Sequence, residues 1–353
     1  MVALCQEMRR SARPGSLIFL MKTTLENSGR QTIASDRRET ANARTNSSVQ
    51  PPIDIKSILV PLDFSRVAMH ALDYATELAK QYGAQVHLMH VQMPDEALAV
   101  PGGGHLLRES AESVTFWREK LGAIQHERPP QFWPENCHIR MGRAYREICD
   151  LARELNVDLI VLASRGNSGL KRVFLGSTAE RVVRFASCPV LVVRQLKRRG
   201  TKKEFFIRKI LAPVDFSQCG MAGAMYAALL ARTFDAKLCL FHAVQPPAPV
   251  VIDRMSADFL NRDALDLASA RRDLEGFAEL DFLRDVKCTK ETRTGYPVEQ
   301  ICAETRRPDV DLAVISTHGR AGFDRMLLGS VAEQVIRYAE CPVLVVPSRC
   351  SIP

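Results

Sequence analysis

The sequence predicts two successive copies of an α/β domain, each a five-stranded parallel sheet with helices on both faces. Three observations carry that expectation. The segment Ile58-Leu-Val-Pro-Leu-Asp-Phe-Ser65 recurs as Ile210-Leu-Ala-Pro-Val-Asp-Phe-Ser217, an offset of 152, and a repeat of that length means a duplicated domain. Short apolar runs alternate with helical patterns through both copies, and parallel strands need crossovers of that kind. Each copy closes on an unbroken Val-Leu-Val-Val, at 190–193 and 343–346, as expected of strands buried on both faces.

The elements follow in order. Residues 57–62 form an apolar run that ends at Pro-Leu-Asp, which suits a buried strand. Val67, Leu72, Ala75, Leu78 and Ala79 then make a helical stripe over 66–81 that stops at Gly83. A strand over 85–91 leads into an irregular stretch with Pro101 and three glycines, followed by a helix over 106–125. Strand 136–141, Gly142, helix 144–155 and strand 157–163 come next. A glycine-containing loop over 164–176 opens helix 177–187, and strand 189–193 closes the copy. The second copy repeats this order over 207–347. His90 matches His242 at the offset of 152, whereas Gly142 matches Gly295, Gly176 matches Gly329 and Cys188 matches Cys341 at 153. One residue is therefore inserted between the second and third strands. Residues 170–193 and 323–346 share 15 identities in 24 positions.

The domains are accordingly placed at 53–194 and 207–348, joined by a basic linker at 195–206. Residues 1–50, rich in Ser, Thr, Asn and Arg, read as a disordered basic tail, with Met21 as an alternative start. The net charge of +8 is concentrated in these outer segments. Residues 1–50 hold 8 Lys/Arg against 4 Asp/Glu, and 194–209 hold 8 against 1, which leaves −3 for the rest. A solvated linker accounts for this charge; an acidic partner, RNA or a lipid headgroup, is the other reading. A nucleic-acid partner is not the expectation. No apolar run reaches the roughly 18 residues of a membrane helix, and Ser16–Met21 is too short for a signal-peptide core. A cytoplasmic protein with reduced thiols is expected, because the 10 cysteines include no CxxC and several sit in apolar segments.

In an open parallel sheet the ligand crevice lies beyond the carboxyl ends of the strands, where strand order reverses. Two segments of each copy fall there. One is the end of the first strand, with Asp63 or Asp215. The other is the loop after the fourth strand. The first copy reads Ala163-Ser-Arg-Gly166, nine residues, then Gly176-Ser177-Thr178; the second reads Ser316-Thr-His-Gly319, nine residues, then Gly329-Ser330-Val331. Glycine admits close backbone approach, and Gly-Ser ahead of a helix leaves N–H groups facing out at the positive end of the dipole. Phosphate is the usual occupant of such a place. Arg165, Lys171, Arg172, Arg320 and Arg325 lie in the same loops. The alternative is structural: Gly166 and Gly319 permit turns, and Ser177 and Ser330 cap helices. The motif is neither a Walker loop nor GxGxxG.

These residues carry a resemblance to the universal stress protein family. Its pattern is G-x-x-G, nine residues, then G-[ST], after a strand-one aspartate and before a CPVLVV-like last strand. Both copies resemble it, down to Cys188-Pro-Val-Leu-Val-Val193 and Cys341-Pro-Val-Leu-Val-Val346. The resemblance implies Rossmann-like domains of the adenine nucleotide alpha hydrolase-like kind, in a family one branch of which binds ATP. It implies that Asp63 and Asp215 sit near adenine and ribose, and that Val91 and Ala243 flank the base. Gly166, Gly176, Ser177 and Thr178, with Gly319, Gly329, Ser330 and Val331, would cradle the phosphates; Gly142 and Gly295 would line the rim. Mg²⁺ can accompany ATP through its phosphates. The sequence departs from the family at Ala163 and Ser316, where the first glycine is replaced.

No enzyme is expected. His90 and His242 recur at a strand end, where packing or a backbone hydrogen bond is the common fate. His318 has Arg165 as its counterpart, and Ser177 has no histidine in a recurring register. No Cys/His/Asp spacing resembles a metal set. The last strands are expected to pair with each other inside the chain, since a bare apolar edge invites pairing; a homodimer is compatible with this. Glu180–Arg184 and Glu333–Arg337 read as solvated-face pairs. The expected function is a nucleotide-dependent regulator in stress response, with a nucleotide-free scaffold of the same fold as the alternative.

Overall fold

The computed structural model describes residues 54–92, 111–126, 137–165, 175–194, 207–246, 257–317 and 328–347. The tail at 1–50, the linker at 195–206, Gly166, Gly319 and most of the basic residues noted in their loops lie outside them.

The first copy runs β1 (Ser57–Pro61), α1 (Arg66–Tyr82), β2 (Gln85–Gln92), α2 (Ala111–His126), β3 (Cys137–Met141), α3 (Ala144–Glu154), β4 (Leu159–Ala163), α4 (Ser177–Phe185) and β5 (Val190–Val193). The second runs β6 (Lys209–Pro213), α5 (Gln218–Thr233), β7 (Lys237–Val244), α6 (Ala257–Ala278), a 3₁₀ turn (Asp281–Leu283), β8 (Cys288–Thr294), α7 (Pro297–Thr305), β9 (Leu312–Ser316), α8 (Ser330–Tyr338) and β10 (Val343–Val346). Most boundaries differ from the sequence reading by one or two residues, as fraying ends do; the helix expected over 106–125 is described from Ala111, with 106–110 outside the described residues. Helix α4, for example, stops at Phe185 and not at 187, because Ala186 is already extended.

All ten strands belong to one sheet, in the order β3-β2-β1-β4-β5-β10-β9-β6-β7-β8. Within each copy every pairing is parallel. The sheet reverses once, between β5 and β10, where Val192, Leu191 and Val190 face Val343, Leu344 and Val345 in antiparallel register. Two apolar edges thereby cover each other and leave no free strand edge at the junction.

Local sequence explains the helix ends. Ser65 caps α1 by accepting from the Ala68 N–H at 3.2 Å, and Gly83, in the left-handed region at φ 67°, closes it. The sheet separates two apolar layers, and each runs unbroken through both copies. One joins α1 and α5 through residues such as Leu72, Leu78, Tyr226 and Leu230, with Leu191 and Leu344 at the junction. The other joins α3, α4, α7 and α8 through Ile148, Val182, Ile301 and Val335. Sharing both cores makes the two copies one packed body.

Across the junction α4 meets α8. Glu180 bonds Arg184 at 3.2 Å, Glu333 bonds Arg337 at 2.9 Å, and Arg337 also reaches Glu180 at 3.8 Å. These pairs are therefore not separate solvated-face pairs. Antiparallel β5 and β10 bring the helices that precede them side by side, and the four charges become one half-buried network between the copies. The eight described cysteines are free thiols, five of them buried. No helix among the described residues is long and apolar enough to cross a membrane.

Candidate functional site

Strand order reverses between β1 and β4 in the first copy and between β6 and β9 in the second. A crevice therefore opens beyond the carboxyl ends of those strands. The β1–β2 register pairs Pro61 with Met89, and the β1–β4 register pairs Leu59 with Ile160. Extending both sets Asp63 level with Val91 on one side and Ser164 on the other. The second copy does the same with Asp215, Ala243 and Thr317.

Asp63 shapes the turn that follows β1. Its Oδ1 accepts from the Ser65 N–H at 3.0 Å. Phe64 between them is held at φ 59°, a region that non-glycine residues seldom enter. In the second copy Asp215 Oδ1 accepts from the Ser217 N–H at 3.0 Å and from its hydroxyl at 2.6 Å, with Phe216 at φ 58°. Each aspartate thus stabilises a strained turn while its carboxylate stands at the crevice. Gly220 gives it room, since a Cβ there would lie 2.3 Å from Asp215 Oδ1.

Histidine closes the neighbouring strand end. His90 Nδ1 lies 2.8 Å from the Leu62 carbonyl, and His242 Nδ1 lies 2.7 Å from that of Val214. A carbonyl only accepts, so Nδ1 carries the proton in both. Burial pushes the His90 pKa down, with Lys120 adding to this, while the Leu62 carbonyl and Asp63 oppose it. Its ring also packs against Trp117 (4.2 Å between centroids), which stacks on Phe64.

The loop after β4 is tied to the sheet before it meets α4. Ser164 donates its N–H to the Val193 carbonyl at 2.8 Å, and its own carbonyl accepts from the Gly176 N–H at 2.7 Å. A Cβ on Gly176 would stand 3.3 Å from the Arg165 Cα and 3.4 Å from the Ser164 oxygen. Both are backbone atoms with little freedom to retreat. Glycine thus lets the start of α4 press on the strand end, where a Cβ would push it back by a few tenths of an ångström. Ser177 and Thr178, exposed, form the first turn of α4, whose leading N–H groups have no intrahelical acceptor. Thr317 and Gly329 repeat the arrangement at 2.8 Å, ahead of Ser330 and Val331.

The two replaced glycines are accommodated away from the crevice. Ala163 packs against the α1-side core. On the same side of the second copy, Gly223 of α5 comes so near that a Cβ there would lie 3.3 Å from the Ser316 nitrogen. Gly142 and Gly295 stand apart, at the ends of β3 and β8, both at φ 147°. A Cβ on Gly142 would strike the Glu147 carboxylate at 2.6 Å, and the backbone conformation alone calls for glycine there. The crevice of the first copy thus assembles Asp63, Val91, Gly176, Ser177 and Thr178, leaves Ala163 on the core side, and sets Gly142 at its periphery. Ser164, Thr317, Phe64 and Phe216 had escaped the sequence reading. Their signal was present in the duplication, as a polar residue after each fourth strand and a phenylalanine after each aspartate.

Among the described residues no cluster of three or more His, Cys, Asp or Glu side chains is placed to hold a metal ion.

The family model described as the universal stress protein family matches residues 54–194 and again 207–347. The chain belongs to the universal stress protein family. A universal stress protein of Mycolicibacterium smegmatis is 26% identical over 304 residues, 83% of this chain and 97% of that protein. One of Methanocaldococcus jannaschii is 33% identical over 151 residues, 40% of this chain and 84% of its own length. Among solved structures, a functionally unknown protein of Pseudomonas aeruginosa superposes with a TM-score of 0.58 at 19% identity, covering 84% of this chain and 93% of its own. A universal stress protein of Archaeoglobus fulgidus gives 0.52 at 19% identity, covering 82% and 96%. These structures share the fold of a tandem universal stress protein.

Proposed function

We propose that this universal stress protein binds ATP in the strand-end crevice and acts as a nucleotide-dependent regulator in the stress response, in the cytoplasm and without catalytic residues. One observation carries the reading. At the point where strand order reverses, Gly176 sets the start of α4 close against the end of β4, where Ser164 stands level with Asp63. Helix N–H groups there suit phosphate, and a carboxylate level with Val91 suits a ribose hydroxyl. Gly176, Ser177 and Thr178 would hold the phosphates, Asp63 the ribose and Val91 the base; Mg²⁺ would come with the nucleotide.

A nucleotide-free scaffold is the second reading. It is favoured by Gly142 and Gly295, whose φ of 147° accounts for both glycines without a ligand.

Calorimetry of the full chain with ATP and Mg²⁺, beside Gly176→Ala and Gly329→Ala, separates the two. Binding lost in one variant, with its melting temperature held within a few degrees, supports the nucleotide reading and names the working copy. No heat with wild type, and no nucleotide retained through purification, would leave the scaffold.

A further inference from the structure

On the face of the sheet that carries α3, α4, α7 and α8, the groove between helices differs in the two copies. In the first copy the groove between α3 and α4 is filled from within the chain. The Tyr145 ring, at the start of α3, lies 5.9 Å from the Phe185 ring of α4, and the Arg181 guanidinium stands over its face at 5.1 Å. Arg146 donates its Nε–H to the phenol oxygen at 3.0 Å. At the offset of 153 the places of Tyr145, Phe185, Arg181 and Arg146 hold Val298, Tyr338, Gln334 and Glu299. Valine has no ring to reach across to α8. The groove between α7 and α8 is accordingly an open cleft of about 500 Å³, lined by these four residues with the buried Cys302 and Ala339. That volume falls within the range of small-molecule sites, roughly 300–1,000 Å³.

Two unlike charges stand on the walls of this cleft. Arg194 enters it from the first copy, and the equivalent position in the second copy is Pro347. Its Nη2 donates to the carbonyls of Ile336 and Arg337, where the negative end of the α8 dipole favours a cation. The Nη1 group carries two further N–H donors. Glu299, exposed in the first turn of α7, supplies the anion. Among the described residues neither Arg194 nor Glu299 has an ion-pair partner. The other arginines of the lining are paired, Arg306 with Glu340 at 3.2 Å and Arg337 with Glu333 at 2.9 Å. The cleft thus combines an apolar floor, the vacated place of an aromatic ring, one uncompensated cation and one uncompensated anion.

We propose that the cleft between α7 and α8 binds a free aromatic amino acid. The ring of the ligand takes the place that Tyr145 fills in the first copy and packs against Tyr338 as Tyr145 does against Phe185. Its carboxylate meets Arg194 and its ammonium meets Glu299, each through a charge-assisted contact. The first copy has no such site, because its own tyrosine occupies the groove. The cleft is separate from the strand-end crevice, and its ligand does not depend on the nucleotide reading.

The test is calorimetry on the full chain with L-phenylalanine, L-alanine, 3-phenylpropionate and phenethylamine, which remove the ring, the ammonium and the carboxylate in turn. Each of the last three should bind about tenfold more weakly than L-phenylalanine, the usual cost of one charge-assisted contact or one buried ring. Val298→Tyr, which restores the side chain found in the first copy, should abolish binding of L-phenylalanine. Glu299→Gln should erase the preference over 3-phenylpropionate, and Arg194→Gln the preference over phenethylamine. Thermal melts identify any variant that has lost its fold. If Arg194→Gln melts early for want of its bonds to α8, the exposed Glu299→Gln and the Val298→Tyr arms decide. No binding of L-phenylalanine up to about 10 mM would overturn the proposal. So would binding that Val298→Tyr leaves unchanged, which would put the ligand elsewhere on the chain. Equal affinity for all three aromatic ligands would likewise overturn the assignment to an amino acid.

Discussion

Leu191 of the first copy faces Leu344 of the second across antiparallel β5 and β10, on the pseudo-twofold axis of the chain. Both are 4% exposed and belong to the core that also holds α1 and α5. Neither copy can lose its last strand without uncovering the other's. Leu344→Ala is therefore expected to cost about 3 kcal/mol and to destabilise both copies in a single denaturant transition. Two separated transitions, with the first copy unaffected, would show that the cores are independent.

The aspartate turn separates structure from binding. Asn in place of Asp63 still offers an oxygen to the Ser65 N–H, so Asp63→Asn should shift stability by less than about 1 kcal/mol. ATP affinity should nonetheless fall about tenfold, because a charged acceptor is lost. Ser65→Ala, which removes the cap of α1, should show the converse: about 1 kcal/mol lost in chemical denaturation and ATP affinity retained.

How far the sequence alone reached depends on what repeats. Ile58–Ser65 and its copy at 210–217 revealed the duplication, and the Val-Leu-Val-Val ends revealed strands buried on both faces. The places of Asp63 and Gly176 followed from the topology rule for parallel sheets. What stayed hidden depended on contacts between distant segments. Arg194 read as the first charge of a linker, and only the antiparallel junction brings it to the end of α8. The same junction turned Glu180–Arg184 and Glu333–Arg337 into one network. The φ of 147° that calls for glycine at 142 was equally hidden, because sequence does not display φ.

Acid should weaken the chain through a histidine pair of the first copy. His87 Nδ1 and His138 Nε2 lie 3.4 Å apart on β2 and β3. Burial lowers both pKa values from 6.5; the charges of His87 and Arg140 add to the effect on His138, and Glu154 opposes it. A histidine whose folded pKa is depressed binds fewer protons folded than unfolded, so stability is full above about pH 6.5 and falls as pH drops through the folded values. Urea midpoints from pH 7.5 to 5 should decline, and His87→Phe should flatten the decline. The second copy has Cys239 and Glu291 at these places, and an undiminished decline in His87→Phe would refute the assignment.

Thiol chemistry should sort by burial. The Cys341 pKa is pushed up to about 12, and those of Cys149 and Cys239 to about 11, chiefly by burial. Thiolate is the reacting form, so iodoacetamide at pH 8 should label these three slowest in the native protein. Cys219, half-buried near Asp215, should be labelled earlier, with peptide mass spectrometry as the readout. Early modification of Cys341 would mean that the β9–β10 region opens.

In a symmetric dimer of separate chains every substitution is made twice, once on each side of the axis. Joining β5 to β10 within a single chain removes that obligation. Arg194 occurs once, and its counterpart Pro347 could change without touching it. Selection can therefore act on one crevice while the other drifts, and the covalent pairing keeps the two in fixed proportion at any concentration. A molecule with the outline of a twofold can in this way hold two unlike sites, facing opposite rims of one sheet.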